Sequence, residues 1–255
     1  MPHPAPRVLP ENAGLAFAGE RRTQSACIPP KMAERFLGAR NPHGKSNADV
    51  LRRLVTAADP RPPQPHWQID FPSDMDAREA SLYEHPYHHL ARRVRTDHAG
   101  WWINPQADTR LRAALARRER YLASPVGTDP PDFFWLESSL IPDATLVAVA
   151  RDDDFTHGVL RSRAFARWWR QVHSRRTPTL TIESYPFPWP PVTALSSLTA
   201  GQEEHRLAVA RAVRGRDADQ LNTAVNAAYG WPADLGEDEL LSRLSDLNRT
   251  RGARL

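Results

Sequence analysis

With 255 residues, 40% apolar and 25% charged, the chain can bury a core as one large domain or two smaller ones. No run nears the roughly eighteen apolar residues of a membrane span, the opening MPHPAPRVLPENAG carries no secretory signal, and the single Cys27 excludes a disulfide framework and a cysteine-based zinc site, so a cytoplasmic protein with no membrane partner is expected. The net charge is +4, and only Lys31 and Lys45 among the 34 basic residues are lysine; guanidinium suits phosphate and guanine, but GC-rich codon usage would also replace Lys by Arg, so the charge permits a nucleic-acid partner without establishing one.

The 24 prolines predict irregular connections and short strands. Residues 1–11 are expected to be disordered, with an edge strand near Leu15 to Phe17. KMAERFLGAR (31–40) has helical spacing, with Gly38 able to close the helix. NPHGKSN (41–47) is a loop, and ADVLRRLVTA (48–57) reads as a second short helix. HWQIDF (66–71) half-alternates as a strand between PRPPQP (60–65) and Pro72. Asp74 opens a helix through DAREASLYEHPYHHLARRVR, broken before Pro86. TRLRAALARRERYL (109–122) predicts another helix. TLVAVA (145–150) and FTHGVL (155–160) read as an antiparallel pair joined by RDDD, SRAFARWWRQV (162–172) as a helix, and TLTIES (179–184) as a last strand leading into the rigid YPFPWPP (185–191). Beyond 191 only helical spacing remains. Glu237, Asp238 and Glu239 open the final helix, and Arg249 and Arg251 end it, which complements its dipole. The pattern predicts an α+β fold, with a mixed domain over 1–191 and a small helical domain over 192–255.

Several constellations bear on chemistry. TDPPDFF (128–134) resembles the loop of adenine methylases, where a short acidic or amide residue, Pro-Pro and an aromatic ring grip a flipped base. Asp129, Pro130 and Pro131 fit, but Asp132 holds the fourth position and Phe133 arrives one residue late. His85 and His89 have the i, i+4 spacing of zinc-binding helices. Neither a following Glu nor a third ligand accompanies them, and Pro86 interrupts the turn, so no metal site is expected. Asp152, Asp153 and Asp154 could hold Mg²⁺, yet a tight connection collects Asp because its side chain satisfies turn backbone. A nuclease reading from Pro142-Asp143 fails, because the following strand runs into Ala150 and Arg151 where an acid and a Lys are needed. In the pairs Trp101-Trp102 and Trp168-Trp169, only one member can face the core of a strand or helix. The other is left able to stack on a base, with core packing the ordinary role. The loop NPHGKSNAD (41–49) crowds donors around a glycine, as phosphate or base-edge contact requires, although loops are polar in any protein.

Taken in order, NAGLAFAG (12–19), FLGARNPHGKSNADVLRRLV (36–55), WQIDFPSDMDAREASLYEHPY (67–87), RYLASP (120–125), LIPDATLVAVARDDDFTHGVLRSR (140–163), TPTLTIESYPFPWP (177–190) and LNTAVNAAYGWPADLGEDELLSRLSDLN (221–248) resemble the fused restriction–modification enzymes of the MmeI-like type. In these an adenine-specific DNA methyltransferase is followed by a target recognition domain and a helical tail. The resemblance runs from about residue 12 to the end and falls within the recognition domain and tail. It implies that the nuclease segment, the S-adenosylmethionine loop and the methylation loop lie outside this chain, and that TDPPDFF is a turn entering the strand FFWL. Val126, Asp129 and Asp132 stand where relatives carry Arg and Lys, and the segment between Trp169 and Thr177 is shorter than usual. Both departures point to altered specificity or decay.

The expected function is sequence-specific recognition of double-stranded DNA for a methyltransferase in a restriction–modification or phage-defence system. Catalysis and S-adenosylmethionine are expected in a separate catalytic chain, with no catalytic residue, cofactor or metal here. Loop placement and donor chemistry select Asn41, His43, Lys45, Asn47, Arg151, Arg161, Arg163, Arg175 and Arg176 as DNA contacts. The alternatives are an inactive remnant of a truncated methyltransferase gene and a DNA-binding regulatory protein.

Overall fold

The computed structural model describes residues 6–59, 61, 63–64, 66–173, 177–191 and 193–253. Among them the chain forms eight strands in two four-stranded sheets together with ten α-helices, an α+β fold. Contacts divide it into two units. One, here the terminal unit, comprises Met1–Ala18, Arg117–Leu136 and Val147–Leu255. The other, the inserted unit, comprises Gly19–Ala116 and Glu137–Leu146.

The terminal unit holds a sheet ordered β1 (Ala16–Ala18), β8 (Leu146–Val149), β5 (Arg120–Pro125), β6 (Phe134–Glu137). β1 is an edge strand, as its sequence predicts, and pairs antiparallel with β8, Phe17 opposite Ala148. RYL belongs to β5 and not to the preceding helix: Tyr121 and Leu122 are fully buried in the sheet. FTHGVL is α5 (Asp154–Arg161) and not a strand. Asp153 accepts from the Thr156 amide at 2.7 Å, and Asp154 occupies the first turn. The three aspartates therefore begin a helix where a hairpin was expected, because a side-chain cap plus an acidic first turn stabilises helix over strand. TLTIES is likewise helical, as α7 (Pro178–Glu183). Pro178 stands at the first helical positions, where its missing N–H costs nothing, and this outweighs the β-branched run. α6 (Arg163–Val172) follows α5 after the cap Ser162.

Beyond 191 come α8 (Ala200–Gly215), α9 (Ala218–Ala228) and α10 (Glu237–Gly252). Thr199 and Gln202 form a reciprocal capping box on α8, and Asp217 caps α9. α5 packs on α8, and α6 on α9 and α10. α5 comes close to α8 at Gly158, where a Cβ would lie 2.5 Å from Val209 Cγ1. One core runs through the unit, with Phe165, Trp168, Tyr185, Val209, Val225 and Leu244 among its members. Polypeptide on both sides of position 191 builds it. The chain is tied down from Arg7 onward: Leu9 is fully buried, and Asn248 on α10 donates to the Arg7 and Ser184 carbonyls at 2.7 Å each. Asn248 also accepts from the Arg7 amide at 2.9 Å. Replacing Asn248 by Ala strands buried backbone groups and is expected to cost about 2–3 kcal/mol. The corresponding fall in thermal midpoint is on the order of 4–12 °C, readable by calorimetry.

The inserted unit holds a sheet ordered β2 (Cys27–Ile28), β4 (His66–Ile69), β3 (Leu51–Val55), β7 (Leu140–Pro142). β3 runs antiparallel to β4 and parallel to β7. ADVLRRLVTA was expected to be a helix. It makes only a 3-10 turn, Asn47–Val50, before β3. A central strand with ladders on both sides outweighs the local helical spacing. The helices are α1 (Pro30–Gly38), α2 (Ala77–Ser81), α3 (Glu84–Ala91) and α4 (Thr109–Leu115). Asp76 caps α2 and Asp108 caps α4. The break foreseen before Pro86 falls between α2 and α3, which leaves Pro86 in the first turn of α3. Phe36, Leu51, Ile69, Phe71 and Tyr83 are in the core.

Candidate nucleic-acid interface

Four expected contact residues lie in the loop between α1 and β3. Gly44, at φ +76°, turns the chain between His43 and Lys45. Asn41 and Asn47 are buried. The Asn41 amide donates to the Lys45 carbonyl at 3.0 Å and to Asn47 Oδ1 at 2.9 Å. Asn47 in turn donates to the Phe36 carbonyl at 2.7 Å. These two amides are spent on shaping the loop. His43 lies edge-on to Tyr83, centroids 4.5 Å apart, and both ring nitrogens are buried with no hydrogen-bond partner among the described residues. Lys45 Nζ lies 2.6 Å from Glu79 Oε1 on α2. That hydrogen bond, with the Glu79 charge, raises the Lys45 pKa. Lys45 is thereby held at the surface as a charged donor.

The expected arginines of the terminal unit are placed by helices. Arg161 ends α5 and Arg163 begins α6, so the two sit on successive helices on either side of the cap Ser162. Arg163 donates to the Leu235 carbonyl at 2.7 Å, and Arg151 Nε donates to Asp153 Oδ2 at 2.8 Å. Arg161 is exposed and makes no ion pair among the described residues. Arg175 and Arg176 lie outside the described residues.

A groove of about 580 Å³ in the inserted unit is lined by Leu51, Arg52, Arg53, Trp67, Arg112 and Ser139, among others. Arg53 faces Trp67 across the β3–β4 ladder and donates to Ser139 Oγ at 2.8 Å. Beside them sits a buried ionic cluster. Arg112 clasps both Glu20 oxygens at 2.7 Å and Asp70 Oδ2 at 2.6 Å, while Asn104 donates to Asp70 Oδ1 at 3.0 Å. Burial works against the Arg112 charge, but the hydrogen bonds and charges of Glu20 and Asp70 outweigh it and raise its pKa. Arg52 Nε lies 3.8 Å from Asp70. The carboxylates offset Arg52 and Arg112, so Arg53 carries the excess positive charge of the groove. The helical spacing of ADVLRRLVTA concealed this pair of strand arginines.

The remaining constellations are structural. TDPPDFF is a turn leading into β6, with Thr128 Oγ1 donating to the Pro125 carbonyl at 3.0 Å. Asp152 pairs with Arg118 at 3.3 Å and Asp154 with Arg120 at 3.0 Å. Among the described residues no group of His, Cys, Asp and Glu could hold a metal ion. Trp168 and Trp169 leave no ring projecting for a base, while Trp101 and Trp102 are half-buried against the core of the inserted unit. Trp168 and Trp169 are each 2% exposed, because α6 is covered by elements on more than one side. Trp102 donates to the Met75 carbonyl at 2.9 Å, and Trp101 packs on Tyr87 at 4.8 Å. No helix is long and apolar enough to cross a membrane among the described residues.

No family model matches the chain, and no curated protein matches it in sequence. Among solved structures, the Type IIL restriction–modification enzyme MmeI, in complex with DNA, is similar, with a TM-score of 0.58 and 15% identity. The match covers 97% of this chain and 37% of that one, so the chain spans little more than a third of the length of this neighbour. At that identity the likeness is one of fold: nearly the whole chain is built like part of a restriction–modification enzyme.

Proposed function

We propose that this chain recognises a DNA sequence for an adenine-specific methyltransferase of a restriction–modification or phage-defence system, and that a separate catalytic chain binds S-adenosylmethionine and transfers the methyl group. The observation that supports this reading is the fold likeness, over 97% of the chain, to an enzyme solved on DNA. The chemistry of the exposed donors is consistent with it. Lys45 presents its ammonium from a loop braced by Asn41 and Asn47, with the His43 ring tucked beside it against Tyr83, and Arg161 presents an exposed guanidinium with no ion pair among the described residues. Arg175 and Arg176 remain in the contact set, while Arg151 braces the Asp153 cap of α5 and Arg163 the Leu235 carbonyl before α10. Charged donors of this kind position a protein on phosphates, and a subset reads base edges.

The test is duplex binding followed by fluorescence anisotropy as salt is raised. The log–log slope is expected to be about −0.9 for each phosphate neutralised. A flat response would sink the reading. Selection from a randomised duplex pool, with the methyltransferase partner present, should enrich a sequence. Arg161→Ala should relax it at one base pair by about 1–3 kcal/mol if that side chain reads a base. Saturable binding of S-adenosylmethionine by the isolated chain at micromolar concentration would overturn the division of labour.

A further inference from the structure

We propose that the surface where the C-terminal ends of α1 and α3 meet, with Arg35, Arg92 and Arg93 gathered around His89, binds backbone phosphates of duplex DNA. The inference rests on the DNA-recognition reading above and names a surface for it in the inserted unit.

The two helices are locked together by Phe36, which is 1% exposed. The His85 ring stacks on Phe36 with centroids 5.8 Å apart and planes 12° apart, and the His89 ring meets it edge-on at 5.7 Å. Arg35 Cζ lies 5.6 Å from the same ring. Arg35, Arg92 and Arg93 are exposed, and none has an ion-pair partner among the described residues. Elsewhere Arg112, Arg118, Arg120, Arg151 and Arg206 are each matched to a carboxylate, whereas here three arginines close to one another in the fold are not. His89 Nε2 is shielded and has no hydrogen-bond partner among the described residues. Burial pushes its imidazole below the ordinary value, and Arg93, Arg35 and Arg92 push it further the same way, with no carboxylate acting against them. Arg92 and Arg93 follow His89 at the end of α3, and Arg35 adjoins Phe36 on α1, so three exposed arginines share the place where the two helices meet.

A basic residue at a helix C-terminus also has a simple structural role, since it complements the dipole. Each helix end contributes only about half a negative charge, however, so two ends offset roughly one of the three positive charges. The excess persists, and exposed Lys31, one turn before Arg35 on α1, lies on the same side of the helix as Arg35. Exposed guanidiniums on two adjoining helix ends fit the closely spaced phosphates of a duplex strand.

The experiment compares wild type with R35A/R92A/R93A on a mixed-sequence duplex from 50 to 200 mM salt. The control is R110A/R211A/R249A, which removes three exposed arginines elsewhere. The patch variant should have a log–log slope shallower by about 2–3. Its loss of affinity across that salt range should therefore be smaller than that of wild type by on the order of 40-fold. The control should stay near wild type. Thermal melting confirms that both variants are folded. If wild type binds DNA and the patch variant keeps its slope, the proposal fails while the DNA-recognition reading stands, and the patch is left for an acidic protein. A wild type that binds no duplex even at 50 mM salt overturns both.

Discussion

Replacing Arg112 by methionine should destabilise the inserted unit by about 3–5 kcal/mol, the cost of stranding buried charge. Glu20 and Asp70 are 3% and 1% exposed, and three short hydrogen bonds from one guanidinium satisfy them. Methionine restores much of the volume and none of the charge. The two carboxylates would then face each other with only Asn104, the Asp108 amide and the distant Arg52 as partners. Lysine should recover only part of the loss, since one ammonium cannot reproduce the two-pronged clasp on Glu20. Adding Glu20→Gln to the methionine variant should recover stability, because it removes one stranded charge, and the departure from additivity measures the coupling. Urea unfolding followed through tryptophan fluorescence reads these differences. A loss below about 1 kcal/mol would put the cluster in the range of surface ion pairs and refute its role as the brace of this unit.

An equally large effect is expected at Gly19. A Cβ there would lie 2.0 Å from the Asp143 carbonyl oxygen, 2.5 Å from its carbon and 2.7 Å from the Pro142 oxygen. All three are backbone atoms, so no rotamer change relieves the clash. The two segments are also stitched together: Gly19 N donates to the Leu146 carbonyl at 3.0 Å, Glu20 N to Pro142 at 2.9 Å, and Ala144 N to Glu20 at 2.8 Å. Gly19→Ala must either spread this pairing or lose it, at about 3 kcal/mol or more. Gly201→Ala is the matched control. It lies within α8 with nothing near its Cβ position, and Ala there should stabilise by about 0.5–1 kcal/mol. Calorimetric midpoints of the two variants should move in opposite directions. A Gly19→Ala protein as stable as wild type would show that the approach of the two segments is not tight.

The α+β class was legible because helix caps and apolar spacing are local signals. Asp76, Asp108, Thr199 and Asp217 all cap helices in the structure, and the charge pattern of α10 reads directly from its ends. What failed was the choice between strand and helix in short apolar runs. Phe155 to Leu160 and Thr179 to Ile182 favour strand by composition, yet Asp153 and Pro178 start helices. Those two signals were present in the sequence and lost to the β-branched residues. For β3 no local signal would have served, since its conformation is fixed by β4 and β7, which arrive later in the chain. The loop around Lys45 was legible as polar, but its polarity could not show that Asn41 and Asn47 turn inward. Arg35 and Arg92 escaped notice because they are 57 positions apart and only packing joins them. The one available hint was that neither has an acid three or four residues away.

The chain passes between the two units at 18/19, 116/117, 136/137 and 146/147. The second visit to the inserted unit supplies β7, which lies parallel to β3 with Leu54 opposite Ile141. Continuous stretch 19–116 therefore lacks one strand of its own sheet and would leave β3 with an open edge. In evolutionary terms, a single crossover between two related genes cannot exchange this unit whole. Any such event that preserves folding must carry both pieces together, or join parents whose β3 and β7 already match. Residues 51–55 and 140–142 should accordingly drift as a set, each substitution on one strand narrowing what the other can accept.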